Sequence, residues 1–94
     1  MQYFVYILTN WSNSVLYIGI TNDLMRRLAQ HRAEVVDSFS KRYHTHKLIY
    51  FETTTDVRAA LESEKQLKGW TRSKKTALIQ TMNPKWLDLS SSWE

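Results

Sequence analysis

Ninety-four residues give one small domain and leave no room for a second core. There is no cysteine, which excludes disulfides, thiol nucleophiles and cysteine-based zinc sites. The formal charge of +4 suits a polyanionic partner; no apolar run is long enough for a bilayer and no basic-then-apolar leader opens the chain, so a cytoplasmic protein without a membrane partner is expected.

Phe4-Val5-Tyr6-Ile7-Leu8 and Val15-Leu16-Tyr17-Ile18-Gly19-Ile20 are β-branched and aromatic runs, and read as strands. Thr9 to Ser14 is polar and reads as a hairpin loop. With Leu8 opposite Val15, Tyr6 falls directly opposite Tyr17, and a slip of two residues keeps both on one face. A first helix is expected from Thr21 or Asn22 as N-cap to about Glu34, with Asp23 in its first turn. Val35 to His46 has no clear period and reads as a loop anchored by Phe39 and Tyr43. Lys47 to Glu52 is the third strand. A second helix runs from Asp56 to about Trp70, with Thr53, Thr54 and Thr55 as possible N-caps and Gly69 as a C-cap glycine. A third helix spans Arg72 to about Met82, stopped by Asn83-Pro84. The expected fold is α+β: a small three-stranded antiparallel sheet flanked by about three helices. The expected domain is 1–89, with 90–94 as a loose tail.

Helical periodicity then sorts the polar side chains. Leu24 and Leu28 set the buried direction of the first helix. His31 falls beside Leu24, Arg27 falls at the edge of that stripe, and Arg26 points to water. In the second helix Val57, Ala60, Leu61 and Leu67 mark an apolar face, with Glu64 near its centre. A carboxylate aimed at a core needs a cation; Arg27 and a metal ion are the two candidates. Tyr6, Tyr17, Arg27 and Glu64 are expected to converge on one concave surface. From Lys65 to Lys85 the chain holds no acid. Lys65, Lys68, Arg72, Lys74 and Lys75, interleaved with Trp70 and followed by Trp86, suit a phosphate backbone. A solvated helix face with two core tryptophans is the alternative. His44 and His46 alternate with Tyr43 and Thr45; two histidines by themselves fall short of a zinc ligand set.

These residues resemble the GIY-YIG nuclease domain. Tyr17-Ile18-Gly19 is the second half of its signature as it stands. Phe4-Val5-Tyr6 occupies the first half, where Tyr6 alone matches. Thr21 to His31 is similar to the family's arginine helix, and Glu64 matches its glutamate. The likeness covers nearly the whole chain and is greatest to small stand-alone bacterial members. It implies a DNA endonuclease that hydrolyses phosphodiester bonds with one divalent ion, Mg²⁺ or Mn²⁺, in repair or recombination. By the same resemblance Glu64 holds the metal. Arg27 neutralises phosphate charge, and one of Tyr6 and Tyr17 positions or deprotonates water, with His31 beside them. Lys41 and Tyr43 are helpers from the following loop, and Asn83 matches a late asparagine on the nucleic-acid side. RNA is a further possible partner. The competing reading is a module that binds nucleic acid without cleaving it.

Overall fold

The computed structural model describes residues 1–35 and 38–93. Strands β1 (Tyr3–Thr9), β2 (Leu16–Thr21) and β3 (Lys47–Thr54) form one antiparallel sheet in the order β2-β1-β3. Helices α1 (Leu24–Arg32) and α2 (Ser38–Tyr43) lie between β2 and β3 in sequence; α3 (Val57–Gly69) and α4 (Arg72–Met82) follow. This is the expected α+β fold with one element added. Six residues of the expected loop form α2; positions 36 and 37 of that loop lie outside the described residues. Too short to show a helical period, α2 is held by tertiary contacts instead. Ser40 is fully buried, and the Phe39 ring stacks on Tyr17 at 5.7 Å.

Alternation in β1 separates two cores. Val5 and Ile7 face one way and join Ile18, Ile49, Ala60, Leu67 and Ile79, so α3 and α4 cover that face. Tyr6 and Leu8 face the other way and join Leu24, Leu28 and Leu48 under α1. A bulge keeps β3 compatible with both layers. Ile7 pairs with Tyr50 and Leu8 with Leu48, leaving Ile49 as the extra residue. Ile49 and Tyr50 therefore both serve the α3 side.

The hairpin is wider than the tightest closure. Thr9 pairs with Leu16, which places Leu8 opposite Tyr17 and Tyr6 opposite Gly19. The direct Tyr6–Tyr17 opposition is thus replaced by the two-residue slip, and the tyrosines are diagonal neighbours on one face. Asn10 sets the loop: its Oδ1 accepts from the Ser14 N–H at 2.9 Å and the Val15 N–H at 3.3 Å. Asn13 turns the chain at φ 58°, in the left-handed region that asparagine tolerates.

Helix α1 is capped by Asp23, rather than by Thr21 or Asn22. Its extended backbone lets Oδ1 accept from the Arg26 N–H at 3.1 Å, and its charge suits the positive end of the helix. Asp56 caps α3 in the same way, accepting from the Arg58 N–H at 2.9 Å. The expected glycine cap fails: Trp70 is the C-cap of α3, and Gly69 has no positive φ. The expected apolar face of α3 is also narrower. Ala60 and Leu67 are buried, while Val57 is 44% and Leu61 50% exposed.

Within the segment expected as a loose tail, Ser90 and Trp93 are docked on the domain, while Ser91 and Ser92 are exposed. Leu89 donates its N–H to Leu48 O at 2.8 Å. Ser90 is buried, its Oγ donating to Asp88 Oδ1 at 2.7 Å and accepting from Arg32 Nη2 at 2.5 Å. Trp93 packs edge-on against Phe51 at 5.9 Å. A serine run carries no pattern that foretells this docking; Glu94 lies outside the described residues.

On the α3 side, the Tyr50 hydroxyl donates to Glu52 Oε1 at 3.0 Å and Ser63 Oγ donates to Glu52 Oε2 at 3.0 Å. Burial, then the charge of Glu52 and this hydrogen bond, push the Tyr50 phenol up from 10.0 to about 12. The folded chain thus keeps a proton that the unfolded chain loses first. This contribution is full below pH 10 and is lost as pH rises through about 12. Tyr50→Phe should remove that part of the alkaline loss in equilibrium denaturation. Parallel loss in both proteins would assign it elsewhere.

Candidate active site

Tyr6 is the centre of the α1-side core and is 0% exposed. Its hydroxyl lies 2.9 Å from His31 Nε2. His31 Nδ1 lies 2.6 Å from Ser40 Oγ, which lies 2.7 Å from Thr45 Oγ1. Tyr6, His31, Ser40 and Thr45 are all fully buried, so this chain of hydrogen bonds runs in a low-dielectric interior. With Nδ1–H donating to Ser40, Nε2 accepts the Tyr6 proton. In the other tautomer Nε2–H donates to the phenol oxygen. Either way the imidazole is placed to hold or move a proton at the Tyr6 oxygen.

Gly19 makes this possible. A Cβ there would stand 2.4 Å from Tyr6 Oη and 2.5 Å from Cζ. The Tyr6 ring lies across the bare backbone of its cross-strand partner. The glycine of Tyr17-Ile18-Gly19 is a space for the first tyrosine.

Tyr17 sits on the same face, half-buried. Its ring is 6.3 Å from that of Tyr6 and 4.8 Å, edge-on, from His31. Phe39 then links Tyr17 to Tyr43, the second pair at 4.8 Å. The Arg42 guanidinium lies 5.3 Å over the Tyr43 ring. Tyr43 is therefore two rings removed from His31, on the same helix as exposed Lys41. Arg27 is half-buried on α1, and among the described residues it has no ion pair. It opens on a cleft of about 240 Å³ lined also by Thr21, Asn22, Asp23, Arg26 and Gln30. A larger cavity of about 700 Å³, beside Phe4, Met25 and Trp93, contains none of the expected catalytic groups.

Glu64 comes from the other layer, on α3, so the expected meeting of Glu64 with Tyr6, Tyr17 and Arg27 is not seen among the contacts of the described residues. It lies on α3 between buried Ala60 and Leu67, with its side chain 19% exposed. Its partner is Lys68, Nζ to Oε2 at 3.3 Å; the expected pairing with Arg27 is replaced by one a single helical turn away. The residue fits a hard divalent ion. It offers one carboxylate, and Mg²⁺ commonly takes one or two while keeping its waters.

The basic stretch divides. Lys65 and Lys74 are exposed and Lys75 is half-buried. Arg72 lies at the surface, with its guanidinium engaged by the chain itself. Its Nη2 donates to Asn13 O at 2.7 Å and Nη1 to Ser14 O at 3.2 Å, over the Trp86 ring at 5.6 Å. It staples the hairpin loop to α4, so two of its donors are spent on the chain itself rather than on phosphate. Trp70 and Trp86 are partly buried against the core. Asn83 is corrected too. It is buried, with Nδ2 donating to Ile49 O at 3.1 Å and Leu87 O at 2.7 Å, and Oδ1 accepting from the Leu87 N–H at 3.0 Å. A side chain so bonded braces the end of α4 against β3 and offers nothing to a nucleic acid. Ser40 and Thr45 are the site residues that the sequence does not reveal. A buried histidine requires a second partner, and nothing in the local pattern says which.

A family model described as the GIY-YIG catalytic domain matches residues 2–77. A UPF0213 protein of Bacillus pumilus is 32% identical over 81 residues, covering 86% of this chain and 82% of that one. One from Haloquadratum walsbyi is 33% identical over 78 residues, covering 83% and 86%. The solution NMR structure of a UPF0213 protein from Bacillus halodurans matches with a TM-score of 0.61 at 24% identity, over 98% of both chains, and shows the same fold. The three-stranded α+β fold thus agrees with that neighbour, and the chain belongs to the GIY-YIG catalytic domain family.

Proposed function

We propose that this protein is a nuclease that hydrolyses phosphodiester bonds in DNA, working with one divalent ion held by Glu64. The observation that carries this reading is the buried Tyr6–His31 hydrogen bond beneath half-buried Tyr17. A tyrosine inside a core needs only one partner to satisfy its hydroxyl. Here the partner is itself titratable and is backed by Ser40 and Thr45, an arrangement suited to controlling a proton.

Burial divides the roles of the tyrosines. Tyr6 has no exposed surface and acts as a positioning residue with His31. Tyr17 reaches the surface and is the phenol that orients the attacking water. Arg27, with no carboxylate partner among the described residues, pairs with the phosphate and offsets its charge in the transition state. A bound Mg²⁺ or Mn²⁺ supplies stabilisation of the phosphoryl and leaving oxygens. Lys65, Lys74 and Lys75 provide attraction to the backbone, with Lys41 on α2 as a further contact. Nicked and branched DNA, the intermediates of repair and recombination, are the substrates to test first.

The experiment is cleavage of nicked, branched and single-stranded DNA with Mg²⁺ or Mn²⁺, comparing the wild type with Tyr17→Phe. Cleavage that falls in Tyr17→Phe, in a protein that still folds, supports the reading. A wild type inert on all three substrates would favour a module that binds nucleic acid without cutting it. The Glu64–Lys68 pair is the observation on that side, because the carboxylate already has a cation.

Binding has its own expected result. Affinity for DNA should fall steeply with salt as phosphate counterions are displaced. Replacing Lys65, Lys74 and Lys75 together should reduce the slope of log affinity against log salt by roughly 2–3. An unchanged slope would make these lysines a solvated face only.

A further inference from the structure

The segment after α1 ends in an unusual geometry. Glu34 has φ 60° and His44 φ 56°, both in the left-handed region where such residues are uncommon. These two turns bring three side chains together from opposite ends of the α2 segment. His44 Nδ1 lies 2.5 Å from Glu34 Oε2, and His46 Nε2 lies 3.2 Å from the same oxygen. The ligand atoms of Glu34, His44 and His46 all lie within 4.8 Å of one another. His46 Nε2 is buried and makes no hydrogen bond among the described residues. At 3.2 Å from the carboxylate it is near enough for charge attraction but is not aligned as a donor or acceptor. A buried ring nitrogen without a well-formed hydrogen bond is a position that a bound ion would satisfy.

We infer that Glu34, His44 and His46 form a second metal site, for a first-row transition ion of the Zn²⁺ class. Two imidazoles and one carboxylate leave a fourth, open position for water, the ligand set of a borderline-soft ion. Mg²⁺ prefers an all-oxygen octahedron and is not its match. Donors at about 2.1 Å from a tetrahedral ion stand about 3.4 Å apart. The His46–Glu34 separation of 3.2 Å already meets this. The His44–Glu34 contact must open by about 1 Å; the His44 side chain, 63% exposed, is free to swing.

The site is distinct from Glu64 and independent of whether the chain cleaves DNA. Its consequence lies in what the ion would tie together. Glu34 follows α1, and His44 and His46 follow α2. Between them lie Ser40, bonded to His31, and Phe39, stacked on Tyr17. An ion here would clamp α2 over the tyrosine pair and order the partly exposed end of the cluster.

The test is a Zn²⁺ titration of the metal-free full chain by calorimetry, with histidine ring signals followed by NMR. One Zn²⁺ per chain is expected, with shifts at His44 and His46. A hundredfold excess of Mg²⁺ should not displace it. Glu34→Gln and His44→Ala should each weaken binding at least tenfold, whereas Glu64→Gln should leave it unchanged. His44 is exposed and Glu34 lies outside the core, so both variants should fold, as circular dichroism would verify. Binding unaltered in folded His44→Ala and Glu34→Gln, or no binding at micromolar Zn²⁺, overturns the site. Binding lost in Glu64→Gln but kept in the other two would place the ion at Glu64 instead.

Discussion

Glu64→Gln is expected to reduce DNA cleavage roughly a thousandfold or more, while DNA affinity stays within a few-fold of wild type. The substitution keeps the size and hydrogen-bonding capacity of the side chain and removes the charge that would hold a divalent ion. A metal contribution of several kcal/mol to the transition state corresponds to that drop. The structure decides what else should change. A glutamate buried against Arg27 would leave an uncompensated guanidinium, costing about 3 kcal/mol or more in stability. Glu64 instead pairs with Lys68 one turn along α3, and the lysine side chain is 58% exposed. Such pairs contribute about 0.5 kcal/mol. The variant should therefore melt within a few degrees of wild type. Cleavage and thermal unfolding measured on one preparation separate the two roles. Full activity in folded Glu64→Gln would remove Glu64 from the metal site. A large loss of stability would make it a structural ion pair.

Gly19→Ala is expected to cost about 3 kcal/mol of stability and to abolish activity with it. The added methyl would stand 2.4 Å from Tyr6 Oη, far inside van der Waals contact. Tyr6 is fully buried, so its ring has no open space to enter. Overpacking of this kind costs about 1–3 kcal/mol, and separating the Tyr6 hydroxyl from His31 adds about 1–3 kcal/mol for an unsatisfied buried polar group. For a chain of this size, 3 kcal/mol lowers the melting temperature by roughly 12–20 °C. Gly69→Ala is the control. Nothing lies within 4 Å of a Cβ there, and alanine is the better helix former, so that variant should be neutral or slightly stabilised. A Gly19→Ala protein that melts like wild type would mean that Tyr6 can turn away from His31 at little cost.

The two glycines show how far local reading reaches. Gly69 reads as a helix stop because glycine so often ends helices, yet its backbone is one any residue adopts. Gly19 looks like a weak point in a strand, and the reason for it lies on the neighbouring strand. The same division runs through the charged residues. Asp23 and Asp56 act within one helical turn, so capping is visible from sequence even when its position shifts by a residue. Arg72 reads as a phosphate contact because nothing local shows that its guanidinium bonds to the backbone of the hairpin loop 58 and 59 residues earlier. Val57 and Leu61 read as core because apolar spacing gives a direction, while burial requires a partner that reaches them.

Sequence by itself determined the sheet, three of the four helices, the shared face of Tyr6 and Tyr17, and the inward turn of His31 against the outward turn of Arg26. Each follows from a fixed period, two residues in a strand and 3.6 in a helix, which side-chain chemistry reveals directly. Tertiary structure alone decided the partners. It put Tyr6 against Gly19, joined His31 to Ser40 and Thr45, docked Leu89 and Trp93 on β3, and added Glu34 to His44 and His46. Those pairings depend on hairpin register, on the bulge at Ile49 and on two left-handed turns. Each is the outcome of competing long-range contacts whose energies are not encoded in any short stretch of the chain.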